Sequence, residues 1–319
     1  MPNELKISKS PAVRKHFCKN YNLPIKIFED PYFTDRCLLF DEQFDVLVKM
    51  DEYVEDFNEY ENEQAFFAAD NKILQSVIDY LKGNKDMIYF SQKEDMNKYS
   101  VPEKYRNIPS KDIWNDSNVD KVLMSIDLRK ANFQALKYYS KDIFGGAETW
   151  EEFMKKFTDK NSKIHSKHLR QVIFGSINPK RQIILEKYLM CKILDCCPTL
   201  LNRTISLSND EIIFDVGEYL TSGLKPLYDA VIFMINLMGL DCHVNIFTID
   251  KIAQGMYQQT FIGGLSDESG IKYKKVNHLM MPFVIRQGRG EEPKDSDFVF
   301  KNETGQLCRF LENPLIQNN

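Results

Sequence analysis

Two places in the 319-residue chain put carboxylates where chemistry could use them. Asp127 closes a short apolar run, Asp120-Lys-Val-Leu-Met-Ser-Ile126. Asp210-Glu211 lie 83 residues further on, in a polar turn between the runs Thr204–Leu207 and Ile212–Val216. If the strand and the hairpin lie side by side, these carboxylates converge at one edge of a sheet. Converging carboxylates raise one another's pKa unless a cation sits between them. Hard oxygen donors with open positions suit Mg²⁺ or Mn²⁺, which keep several waters and complete their shell from substrate phosphates. Two such ions, about 3.5–4 Å apart, stabilise the attacking and leaving oxygens of an in-line phosphoryl displacement. Asp127, Asp210 and Glu211 are therefore the candidate catalytic and metal-binding residues. Against that stand plainer roles: a helix N-cap for Asp127, a turn acid for Asp210, a solvent-facing side chain for Glu211.

The elements that must position them can be read from periodicity and punctuation. Ser10-Pro11 predicts an N-cap and first helical turn, and Ala65–Lys82 repeats apolar residues at spacings of three and four before Gly83-Asn84. Pro102 and Pro109 mark Ser100–Ser110 as a connection. The first 115 residues therefore read as a mainly helical accessory or fingers-like region. Residues 116–319 read as an α+β domain with a β-rich C-terminal extension. Within it the order is strand to Asp127, a helical segment, helix Trp150–Phe157, helix Pro179–Leu194, the hairpin, helix Pro226–Leu240 and strand His243–Ile249. Such an order predicts a small antiparallel sheet with helices packed on one face. Met280–Ile285 and Asp297–Phe300 read as strands around a basic turn, Arg286–Gly290.

Composition narrows the class. The net charge is −4, so any phosphate backbone must meet positive charge gathered locally. Lys155–Lys192 supplies such a stretch, with Lys167, Arg170, Lys180 and Arg181 as candidate phosphate contacts and a solvated helix face as the equal alternative. Glu29–Asp70 is acidic and reads as a solvated face. The seven cysteines form no Cys-x-x-Cys pair, which suits reduced thiols in a cytosol-like compartment. No signal-peptide core is visible at the start and no run is apolar enough to span a membrane. Abundant Lys, Asn and Ile fit an AT-rich genome such as that of a virus or phage.

Ser125-Ile-Asp127-Leu-Arg-Lys-Ala-Asn-Phe133-Gln-Ala-Leu136 resembles the first catalytic motif of reverse-transcriptase-type palms, a strand-end Asp followed by a Leu-basic-x-Ala-aromatic-Phe-Gln run. Asn209-Asp210-Glu211-Ile-Ile-Phe214 resembles the hairpin motif of the same palms. Gly175-Ser176 with the following helix resembles the motif under the templating base, and Gly239-Leu240 the next palm element. The resemblance covers roughly residues 118–250. It implies a nucleotidyltransferase or polymerase using Mg²⁺ or Mn²⁺, with nucleic acid, a nucleoside triphosphate and other replication or viral proteins as partners. It also implies that Arg129, Asn132 and Phe133 lie near the nucleotide. The chain departs from the pattern at Glu211, where those palms carry a second Asp, and at Asn132, where the sugar-sensing aromatic would stand. The alternative is a non-catalytic nucleic-acid-binding or viral assembly protein on a palm-like scaffold, using the basic stretch without metal.

Overall fold

In the computed structural model, residues 10–221 and 223–316 are described. The chain runs through α1 (Pro11–Asn20), α2 (Tyr32–Phe44), α3 (Val46–Phe57), α4 (Glu63–Gly83) and α5 (Lys85–Gln92) before β1 (Val122–Leu128). Then come α6 (Ala131–Tyr139), α7 (Trp150–Met154), α8 (Asn161–Ile164), α9 (Lys167–Gly175) and α10 (Pro179–Cys196). The hairpin β2 (Thr204–Leu207) and β3 (Glu211–Asp215) follows, then α11 (Leu224–Leu237), β4 (Cys242–Ala253), β5 (Met256–Ser266) and β6 (Ile271–Lys274). The chain ends with α12 (Met281–Gly288), β7 (Val299–Lys301) and β8 (Leu307–Arg309). Ser10 caps α1 as its sequence predicts, accepting from the Ala12 amide with Pro11 in the first turn.

The fold is α+β, with a helical N-terminal region and a six-stranded antiparallel sheet in the order β2-β3-β1-β4-β5-β6. The first four strands and the helices between them make a β-α-β-β-α-β arrangement with β1 at its centre. β1 is buried from Val122 to Ile126, as a central strand covered on both faces must be. Gln134 ties α6 to this frame: its Nε2 donates to the carbonyls of Arg129 and Asp241, and its Oε1 accepts from the Asp241 amide. The Gln of the Phe-Gln run thus clamps the ends of β1 and β4. α10 packs along α6, burying Leu185, Leu189, Ile193 and Leu194.

Two compact units emerge, and their limits differ from the expected division at residue 115. One comprises residues 10–77, 154–173 and 276–316, and the other residues 78–153 and 174–275. Three of the boundaries fall inside helices, in α4, α7 and α9. The C-terminal β7–β8 pair therefore belongs with the N-terminal helices and not with the six-stranded sheet.

Met280–Ile285, expected as a strand, lies in α12. A short continuous apolar run fits a buried strand or a buried helix equally, and Pro282 in the first turn favours the helix. Arg286 is no flexible turn residue: it is buried, with its guanidinium 2.5 Å from Asp297, which also binds Arg36 at 2.8 Å. No helix among the described residues is long and apolar enough to cross a membrane.

Candidate active site

The register of β1 decides which acids meet. Leu128 N donates to Asp210 O at 2.8 Å, so those two residues form a hydrogen-bonded pair. The next pair inward, Asp127 opposite Glu211, is non-hydrogen-bonded, the position where Cα atoms approach to about 4.5 Å and side chains lie closest. On the other flank of β1, His243 stands opposite Asp127. By strand alternation Glu211, Asp127 and His243 share one face with Ile213, Leu123 and Phe247. These three apolar residues belong to a cluster with Ile113, Ile249, Tyr257 and Phe261. The acidic row stands where that apolar cover ends.

The pairing has an electrostatic consequence. Burial, with Asp127 and then Asp210 adding to it, pushes the Glu211 carboxyl up to about 7, and only Lys274 opposes the rise. Lys274 lies 5.1 Å from the centre of the Trp114 ring, and burial pulls its own pKa down. His243 is likewise pushed down by burial and by Arg129, which favours neutral imidazole. Its buried Nδ1 has no hydrogen-bond partner among the described residues.

A fourth acid joins from the helix layer. Glu186 on α10 is buried, accepts from Asn132 Nδ2 at 2.6 Å, and is pushed up to about 7 by burial and by Asp210. The next residue, Lys187, donates to the carbonyls of Leu207 and Ser208 and so holds the hairpin turn onto α10. Neither Glu186 nor Lys274 was a sequence candidate. The signal for Glu186 was available: it occupies the inward stripe of α10 with Gln182, Leu185 and Leu189, where an acid is out of place. Lys274 gave no signal, because β5 and β6 were not read as strands.

The proposed nucleotide contacts fare unevenly. Asn132 is at the site, bonded to Glu186. Arg129 is engaged by Asp267 at 3.2 Å and Asp241 at 3.5 Å. Phe133 is buried in the core, its ring 4.4 Å from Phe144 and 6.3 Å from Trp150, because α6 turns that position inward. Arg181 donates to the carbonyls of Phe90 and Glu94, closing the end of α5. Lys180 is exposed in the first turn of α10. Lys167 and Arg170 belong to the first unit, so the basic stretch divides between the two units.

Hard carboxylate oxygens crowded on adjacent strands, with a buried imidazole nitrogen beside them, fit a divalent cation by the chemistry of the donors. No preformed group of three or more His, Cys, Asp or Glu ligands occurs among the described residues. An ion here would draw on Asp127 and Glu211, with Asp210 in the adjoining turn, and on substrate oxygens. No family model matches the chain, and no curated protein or solved structure matches it significantly either.

Proposed function

We propose that the sheet-bearing unit is the compact palm of a metal-dependent nucleotidyltransferase that adds nucleotides to a nucleic-acid 3′ end. The observation that carries this reading is the Asp127–Glu211 pair, two acids at the closest cross-strand position, with the Glu211 carboxyl pushed up to about 7 by burial and then by Asp127. The motif resemblance supplies the reaction class. Bound Mg²⁺ or Mn²⁺ would neutralise the phosphates and favour ionisation of the attacking 3′-hydroxyl. Asp127 and Glu211 would hold the cation, and Asp210 adds negative charge from the turn. Glu186, fixed by Asn132, sets the field at the hairpin tip, and Lys274 offers a positive charge above the carboxylate row. In this reading the partners are a nucleoside triphosphate, nucleic acid and other replication or viral proteins, in the cytosol of a host or infected cell.

The non-catalytic binding reading rested on the basic stretch. Lys160, Lys163, Arg181 and Lys187 are engaged within the protein, so it loses those residues as contacts. The test is incorporation of labelled nucleotides on primed templates, with and without Mg²⁺ or Mn²⁺. Asp127→Asn is expected to lower metal-dependent extension by about 10²-fold or more without lowering the unfolding midpoint. Full activity in that variant would remove the proposal.

A further inference from the structure

The first unit contains a cavity of about 370 Å³ between α1, α4 and α9. That is within the range of small-ligand sites and much larger than an inorganic anion needs. Its apolar lining is Phe67, Leu74, Leu169 and Val172. Lys19 and His16 lie near His168 in the same lining, which also includes Asn71. Lys19 and His168 have no hydrogen-bond or ion-pair partner among the described residues, whereas both nitrogens of His16 are engaged. Its Nε2 is 3.2 Å from Asp70, and its Nδ1 is 2.9 Å from the Tyr53 hydroxyl. Asp70, the one carboxylate lining the cavity, is already met by the buried Lys163 ammonium at 2.5 Å. The lining therefore offers the Lys19 ammonium and the His168 imidazole, whose side chains have no ion-pair partner among the described residues, beside apolar surface. Burial, then Lys19 and His16, pull the His168 pKa down, and a bound anion would reverse that.

The geometry points to a binding site here for a phosphate monoester with a flat apolar body, of nucleoside monophosphate size. The phosphate sits between Lys19 and His168, with the Asn71 amide as a further donor. The body lies against Phe67 and Leu169. A phosphomonoester becomes a dianion with a second pKa near 6, so at neutral pH it pairs with the Lys19 ammonium and favours the protonated form of His168. The site is independent of the carboxylate row and of the reaction proposed for it.

The test is calorimetric titration of the full chain with adenosine 5′-monophosphate, inorganic phosphate and adenosine as separate probes, with the His168 imidazole followed by NMR. The monophosphate is expected to bind at least tenfold more tightly than either other probe and to raise the His168 pKa. Lys19→Ala with His168→Ala should weaken it at least tenfold, and these exposed or half-exposed positions leave the core intact. Asp127→Asn should bind it unchanged, which separates this cavity from the carboxylate site. No binding of the monophosphate, equal binding of adenosine, or affinity lost only in Asp127→Asn would each overturn the assignment.

Discussion

The molecule contains two crowded groups of carboxylates, and they are built on opposite plans. In the first unit Asp56 and Asp70 close around Lys163, whose ammonium is 3.1 Å from Asp56 and 2.5 Å from Asp70, all deeply buried or nearly so. The attraction at these distances is Coulombic. It is reinforced by the Phe66 ring, centred 3.6 Å from the ammonium, and Ser162 donates to Asp56. In the second unit Glu211 and Glu186 share a small region with Asp127 and Asp210, and neither glutamate has an ion pair among the described residues. Compensated charge is a fastening. Uncompensated like charge lowers stability, and its retention makes sense where a cation or substrate completes the balance.

Removing the compensation should show the first plan most strongly. Lys163→Met leaves Asp56 and Asp70 buried without their cation, and loss of one member of such a network costs about 3–5 kcal/mol. Denaturant unfolding at neutral pH should show a loss of that size. A loss below about 1 kcal/mol would mean that water reaches these groups and that the contrast between the clusters is one of exposure only.

Why one cluster was legible in sequence and the other was not follows from how each is assembled. The acidic row came from local signals: an apolar run ending in Asp127, and turn residues between apolar runs at Asp210-Glu211. Those signals located β1, the hairpin and α10 to within two residues at each end. They could not give register. It is the pairing of β1 with β3 that sets Glu211, not Asp210, opposite Asp127. The other group joins Lys163 to Asp56 and Asp70, 107 and 93 positions earlier in the chain, so Lys163 looked like one more cation of a solvated stretch. β5 and β6 escaped because Gly263-Gly264 breaks the strand pattern and Gly255, at φ +70°, carries a tight turn that no flanking Asn or Asp announced. α12 was misread because period alone does not separate a short buried helix from a buried strand.

The second plan predicts a pH dependence of opposite sense to that of a paired carboxylate. The Glu211 carboxyl holds its proton up to about 7 in the folded chain, against an ordinary value of 4.5. Between those values the folded state binds more protons than the unfolded one, so stability falls as pH rises through that window. Glu211→Gln should flatten that part of the profile and stabilise the metal-free protein by about 1–2 kcal/mol at pH 8, after allowance for solvent screening. Unfolding midpoints from pH 4 to 8 would show it, and an unchanged slope in the variant would place the titration elsewhere.

The smallest effect is the most diagnostic of what the row is for. A divalent cation competes with the Glu211 proton, so a few millimolar Mg²⁺ or Mn²⁺ should raise the melting temperature by about 2–4 °C at pH 8 and hardly at all at pH 5. Asp127→Asn should abolish the rise, whereas Lys163→Met should leave it in place on a lowered baseline. A metal response that persists in Asp127→Asn, or that is equal at both pH values, would assign the ion to other ligands. The carboxylate row would then be like charge that binds no metal.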